Sequence, residues 1–486
     1  MSLALHLPRL QRLGFLCETV RPEALSRPEL PVFSSELAAE LGIPDSVFVQ
    51  ADTVAQLSGS AAHYDPAPTA TVYSGHQFGV YVPQLGDGRA MLLGDLVAPD
   101  GSRWEIQLKG SGKTPFSRFA DGRAVLRSTI REYLASEAMH ALGIPTTRAL
   151  AITVSPDPVY REQPETAAVL TRAAPSFLRF GHFEYFYHRR QHQHLAPLAD
   201  YLIAEHYPEC RAAENPHLAL FEAVTRRTAA LIAQWQAVGF CHGVMNTDNM
   251  SLLGLTIDYG PYGFLDGFNR HHVCNHSDAG GRYAYKEQPY VAQWNLLKLG
   301  SAFLPLAAEA ELIAVIESFV GHYQTGYLNA MRQKLGLSHS QPDDAELVHD
   351  LLDVLQQAEA DYTLFFRRLA EMPTEHQAPL PDSLLRLFPH AERLIHWSGR
   401  YKRRLRQENL PPAERKRQMD AVNPLYVPRN YLLEQAIAQA RDHGDFDGVR
   451  RLQACWQDPF TERAEYADLA DTPPDWAADI CISCSS

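Results

Sequence analysis

The chain has 486 residues, is 45% hydrophobic and carries a formal net charge of −13. That length and apolar content suffice for a sizeable core in two lobes with extensions, and they exclude a wholly disordered chain. The acidic balance argues against a dedicated nucleic-acid binder or a membrane-surface protein, both of which carry a basic excess.

No apolar run reaches the length of a spanning helix, and the opening residues are interrupted at Pro8, Arg9, Gln11 and Arg12. The expectation is a cytoplasmic monomer with neither nucleic acid nor membrane as a partner. Seven cysteines, mostly isolated, do not form a secreted disulfide framework. Cys481 and Cys484 are the exception, a C-x-x-C close to the end.

Residues 1–65 mix short amphipathic pieces with prolines and read as an extension wrapped around a core. Residues 66–174 read as a small β-rich lobe. Val80–Leu85, Ala90–Val97 and Trp104–Lys109 are expected to form a three-stranded antiparallel meander through turns at Gly86-Asp87-Gly88-Arg89 and Pro99–Ser102. A helix over 124–142 follows, closed by Gly143 and Pro145, and then strands at Arg148–Val154 and Ala167–Arg172. From 175 to 370 the pattern turns helical, most clearly over Leu218–Val238, which ends at Gly239. Further helices are expected at 309–336, 343–370 and 430–441, the last within a helical extension over 371–486 whose tail is acidic and mobile. His188–His194, HRRQHQH, lacks cysteine or paired carboxylates at ligand spacing and reads as a solvated loop. A long loop covers Asn269–Tyr290.

The chain is organised around Val244–Gly260, VMNTDNMSLLGLTIDYG. Leu252–Ile257 reads as a tight hairpin with Asn249 before its first strand and Asp258 after its second, which brings two oxygen ligands to one end. Hard oxygen donors so placed suit Mg²⁺ on a nucleotide. Asn and Asp also flank ordinary turns. Upstream, Lys109 closes a strand whose apolar residues Trp104, Ile106 and Leu108 alternate, so it points to the opposite face or marks the strand's exit. Glu132 lies on the border of the following helix's apolar stripe and calls for a cation such as Lys109, with Glu137 as the rival partner.

Glycine turn, strand lysine, helix glutamate, polar loop and Asp258-Tyr259-Gly260 stand in the order of a protein kinase. His242 and Asn249 have the spacing of the ends of the kinase catalytic loop, but Val244 occupies the position of the kinase base and a carboxylate appears instead at Asp248. With YSGHQFG, IQLKGSGKTPFSR, ADGRAVLRSTIREYLASEAM, LTRAAPSFLRFGHFE and HGVMNTDNMSLLGLTIDYGPYGFLD, nearly the whole chain resembles the selenoprotein O family, which includes the bacterial YdiU proteins. Cys484 stands where eukaryotic members carry selenocysteine.

The resemblance implies an α+β, bilobal kinase-like fold that binds ATP inverted relative to kinases and transfers AMP to protein hydroxyls. It assigns nucleotide contacts to Gly86, Gly88, Arg89, Lys109, Asp121, Gly122, Arg172, Arg179 and Asp258, metal to Asn249 and Asp258, and proton acceptance to Asp248. The chemistry agrees: attack at the α-phosphorus expels pyrophosphate, whose charge Arg89, Lys109, Arg172 and Arg179 are suited to stabilise, with Lys113 as a fifth cation. Mg²⁺ or Mn²⁺, and ATP or UTP, are both compatible with these residues. Cys481 and Cys484 could pair locally or reach Cys274, tying the tail to the catalytic lobe, or remain reduced bystanders.

Overall fold

The computed structural model describes residues 3–483. An eight-stranded antiparallel sheet runs in the order Cys17–Thr19, Thr69–Thr71, Ala90–Val97, Arg103–Lys109, Pro164–Ala174, Arg148–Tyr160, Glu29–Phe33, with Ala124–Val125 paired separately to Pro164–Ala174. Residues 1–65 therefore supply both edge strands, and the helices Ser35–Glu40 and Ala51–Leu57 bring Leu37, Leu41 and Leu57 into a core with Ile106, Leu108 and Val169. The opposite face carries the Leu126–Ala141 helix, whose Ile130 and Leu134 share a second core with Met91, Ile152 and Leu170.

Alternation along Arg103–Lys109 has a consequence for the site. Ile106 and Leu108 point into the first core, while Glu105, Gln107 and Lys109 share the other face and are also buried. A buried polar stripe requires partners, because an unsatisfied polar group away from water costs about 1–3 kcal/mol. Each of the three has one: Glu105 accepts from Phe177 N at 2.9 Å, Gln107 from Arg172 Nε at 3.1 Å, and Lys109 donates to Glu132.

The helical part is built on Pro216–Val238 packed against Glu309–Lys334, with Phe180–His188, Leu195–His206 and Gln288–Phe303 around it. Asn215 caps Pro216–Val238 at its start, and Gly239 ends it at φ +81°, a conformation that L side chains rarely adopt. Asp344–Ala358, Tyr362–Leu369 and Glu392–Leu405 enclose a separate apolar cluster. Asn430–His443 and Asp447–Trp456 then return to pack on Leu126–Ala141, so the C-terminal helices brace the β-rich part. Among the described residues, no helix is long and apolar enough to cross a membrane.

Several sequence expectations are corrected. Val80–Val82 leaves the meander and pairs with Gly75–Gln77 in a small sheet of its own. Leu252–Ile257 is not a hairpin, since its two arms bond elsewhere: Leu252 N to Leu178 O at 3.0 Å and Thr256 N to Pro145 O at 2.8 Å. Residues 343–370 divide into two helices at Glu359, where φ is +46°. His188 ends a helix rather than lying in a loop, and His192–His194 form a 3₁₀ turn. The tail is docked at Leu469 and Ile482, which are buried.

Candidate functional site: a charged cleft

A cleft of about 800 Å³ is lined from the sheet, from the loop between Lys109 and Leu126, and from the helical part. Gly86, Gly88, Arg89, Lys109, Asp121, Gly122, Glu132, Arg172, Arg179, Asp248, Asn249 and Asp258 all line it. Lys113 does not. Cys274 is buried away from it with its thiol toward Cys241 O at 3.5 Å, Cys481 is exposed, and Cys484 lies outside the described residues.

The floor is an ion cluster centred on Asp258. Lys109 Nζ donates to Glu132 Oε2 at 2.5 Å and to Asp258 Oδ1 at 3.0 Å. Arg172 stands opposite Gln107 in the antiparallel register, so it shares the face of Lys109, and its Nη1 reaches Glu132 Oε1 at 3.0 Å and also Asp258 Oδ1. Arg179, at the start of the Phe180–His188 helix, donates to Asp258 Oδ2 and to Asp248 O. Glu137, the rival partner for Lys109, instead holds Arg148 through Oε1 at 2.9 Å and Oε2 at 2.8 Å. Burial pushes the Asp258 carboxyl upward, but Arg179, Lys109 and Arg172 outweigh it and hold the group well below the usual carboxylate range. Lys109 and Arg172 thus bridge two carboxylates, Glu132 and Asp258, while Arg179 adds a third cation on Asp258.

Asp258 adopts a left-handed backbone at φ +58°, which Asp tolerates better than most side chains. His242 supports that turn from below, its Nε2 meeting Ile257 O at 3.0 Å. Burial lowers its affinity for a proton. Asn249 closes a 3₁₀ turn over Thr247–Asn249 and donates Nδ2 to Val244 O at 2.9 Å, which leaves Oδ1 for a cation. Amide oxygen and ionised carboxylate are the donors that Mg²⁺ and Mn²⁺ accept, so the pair fits a hard divalent ion.

Asp248 is set differently. It is buried, its Oδ2 accepts from Gln77 Nε2 at 3.1 Å, and Oδ1 has no hydrogen-bond partner among the described residues. Desolvation raises its pKa to about 6, with Gln77 and Arg179 offsetting part of the rise. Gly75 lies against it: a Cβ there would stand 2.7 Å from Asp248 Oδ1.

The rim contains residues the sequence did not single out. Arg161 forks onto Asp121 at 2.7 and 3.0 Å, and Asp87 accepts from Thr71 N at 2.8 Å beneath the glycine turn. Gly122 is needed by contact, since a Cβ would meet Gly112 C at 2.2 Å. Gln77 and Gln107 orient Asp248 and Arg172, and both were missed. The alternation that buries Lys109 also buries Gln107, so Gln107 was legible. Arg161 and Gln77 were not, because no local spacing links them to Asp121 or Asp248.

A cleft with clustered buried cations and a separate acidic group is the kind of site that handles a phosphate-bearing substrate. The family model described as "Protein adenylyltransferase SelO" matches residues 3–457. Relatives bearing the name protein nucleotidyltransferase YdiU occur in Burkholderia multivorans, at 50% identity over 98% of this chain and 94% of that one, and in Thioalkalivibrio sulfidiphilus, at 52% over 96% and 95%. A third, from Pseudomonas aeruginosa, is 48% identical over 98% of both chains. The chain belongs to the SelO family and is a nucleotidyltransferase.

Proposed function

We propose that this chain transfers AMP from ATP to Ser, Thr or Tyr hydroxyls of proteins, on a kinase-like framework that holds ATP reversed relative to kinases. The observation that carries the reading is the convergence of Lys109, Arg172 and Arg179 on Asp258 at the floor of the cleft. Pyrophosphate is the leaving group in adenylyl transfer, and a cluster of buried cations suits its developing charge. Arginine forks match phosphate oxygens, while Lys109 acts as a point charge positioned by Glu132.

In this reading the triphosphate draws the three cations from Asp258 and binds among them, with Arg89 above and the glycine turn giving its backbone close access. A divalent ion, held by Asn249 Oδ1 and Asp258, would neutralise part of the triphosphate charge. Asp248 takes the proton of the incoming hydroxyl as the oxygen attacks the α-phosphorus and the bond to the bridging oxygen of pyrophosphate breaks. A group with a pKa near 6 is ionised at neutral pH yet retains affinity for a proton. UTP with Mn²⁺ is a compatible donor, and the tail thiols are a redox control on the same site. The latter draws support from His276 N donating to Ile482 O at 2.9 Å, which seats the tail beside the loop bearing Cys274. Cys274 is buried with a pKa held well above the ordinary range, so its oxidation requires that loop to open. Peptide mass mapping of oxidised protein tests this, and finding no crosslink between Cys274 and a tail cysteine overturns it.

The deciding experiment for the transfer reaction is incubation with Mg²⁺, protein substrates and α- or γ-labelled ATP, read by intact mass. Label from the α position with the added mass of AMP, absent in Asp258→Ala, is the expected result. Label from the γ position restores an ordinary kinase, and binding of ATP without transfer restores a silent scaffold.

A further inference from the structure

The Phe180–His188 helix carries Glu184 and His188 four residues apart, a spacing that places both on one helical face. Facing them is His76 from the short strand Gly75–Gln77. One ligand-capable atom from each of the three lies within 4.8 Å of the others, and His76 Nδ1 is 2.6 Å from Glu184 Oε2. Glu184 is fully buried, and that hydrogen bond satisfies only one of its oxygens: Oε1 has no hydrogen-bond partner among the described residues. A buried carboxylate oxygen left without a partner is costly, and a cation is a partner that removes the cost.

We propose that His76, Glu184 and His188 form a second metal site, separate from Asn249 and Asp258, that takes a transition-metal dication of the Zn²⁺ class. Two imidazoles and one carboxylate select against Mg²⁺ and Ca²⁺, which prefer oxygen donors throughout. Tetrahedral bonds of about 2.0–2.1 Å set donor atoms about 3.3 Å apart, a spacing that side-chain rotation reaches from the present one. The ion takes one ring nitrogen from each imidazole and a carboxylate oxygen of Glu184, of which Oε1 is the one without a hydrogen-bond partner among the described residues. His188 is exposed, which provides the entry path and leaves a fourth position to solvent. Tyr81 and Trp294 wall the site, with ring centroids 4.1 Å from His188 and 5.4 Å from His76 respectively.

The position gives the ion a structural role. His76 N donates to Thr247 Oγ1 at 2.7 Å, and its neighbour Gln77 holds Asp248. A metal bridging the helix to this strand therefore fixes the element against which the Thr247–Asn249 turn is positioned. His188 has no ligand partner within HRRQHQH itself, because the carboxylate lies one helical turn upstream and the second imidazole 112 residues away.

The test is independent of the transfer reaction. Full-length protein is stripped with chelator, saturated with Mg²⁺ to fill the oxygen site, and titrated with Co²⁺ while its visible spectrum is followed. One Co²⁺ per chain with the intense visible bands of a four-coordinate ion, displaced by Zn²⁺, is expected. Affinity should fall at least tenfold in His188→Ala and Glu184→Gln and stay unchanged in Asp258→Ala. His188 is exposed, so its variant retains the fold, and circular dichroism checks this. Equal binding by His188→Ala, no stoichiometric binding by the wild type, or loss of the bands in Asp258→Ala each overturns the assignment.

Discussion

Asp248 and Asp258 lie in the same cleft, ten residues apart in the chain, and their surroundings are opposite. Asp258 is gripped by Lys109, Arg172 and Arg179, and those cations keep it ionised despite its burial. Asp248 receives one side-chain hydrogen bond, from neutral Gln77, and its pKa rises to about 6. Environments that push two like groups apart in this way divide their chemistry, one remaining a permanent anion and the other able to exchange protons near neutrality. The cations in reach separate the roles: three grip Asp258, whereas the side-chain donor to Asp248 is neutral Gln77.

Substitutions can break the contrast at either end. The largest effect is expected from Asp258→Ala, which removes an anion from beneath three cations and takes away a proposed metal ligand. Transfer should fall on the order of 10⁴-fold, with weakened nucleotide binding visible by calorimetry. Asp248→Asn should reduce the transfer rate on the order of 10²–10³-fold while leaving ATP affinity near that of the wild type.

The same Asp248→Asn variant should be more stable at neutral pH. A carboxyl whose folded pKa is raised favours the fold while protonated, and that contribution is lost as pH rises through the folded value. Raising Asp248 from its ordinary 3.8 to about 6 corresponds to about 3 kcal/mol above pH 6. Chemical denaturation should show the Asp248→Asn protein gaining up to that amount at pH 7.5 and nothing below about pH 4.

Glu132→Gln sharpens the Asp258 side of the contrast. Lys109 and Arg172 lose one carboxylate, so Lys109 loses its anchor, and ATP affinity should drop about tenfold. The smallest effect belongs to Gln77→Ala, which removes the hydrogen bond stabilising ionised Asp248. The acid limb of the pH–rate profile should move upward by about one pH unit.

Much of this cleft was legible in the sequence because its residues sit in dense local patterns. Strand alternation singles out Lys109, the helix wheel narrows its partner to Glu132 or Glu137, and the Asp258-Tyr259-Gly260 stretch marks itself. What failed were inferences about which backbone pairs with which. Leu252–Ile257 has the apolar runs and Gly254 of a hairpin, yet Leu178 and Pro145 take its hydrogen bonds, so tertiary partners override the local turn. Residues 1–65 looked like a wrapping because each strand is short, and only pairing with Thr69–Thr71 and Arg148–Tyr160 makes them sheet edges. Choosing between Glu132 and Glu137 required Arg148, eleven residues beyond Glu137 on a strand that faces the helix.

The division between the two aspartates is tested most directly by the pH dependence of single-turnover AMP transfer, measured with ATP affinity for wild type and Asp248→Asn. The wild-type rate is expected to climb about tenfold per pH unit up to about 6 and then level. The variant should lack that limb and still bind ATP. A wild-type rate flat from about pH 5 to 8, or loss of ATP binding in Asp248→Asn, would contradict it.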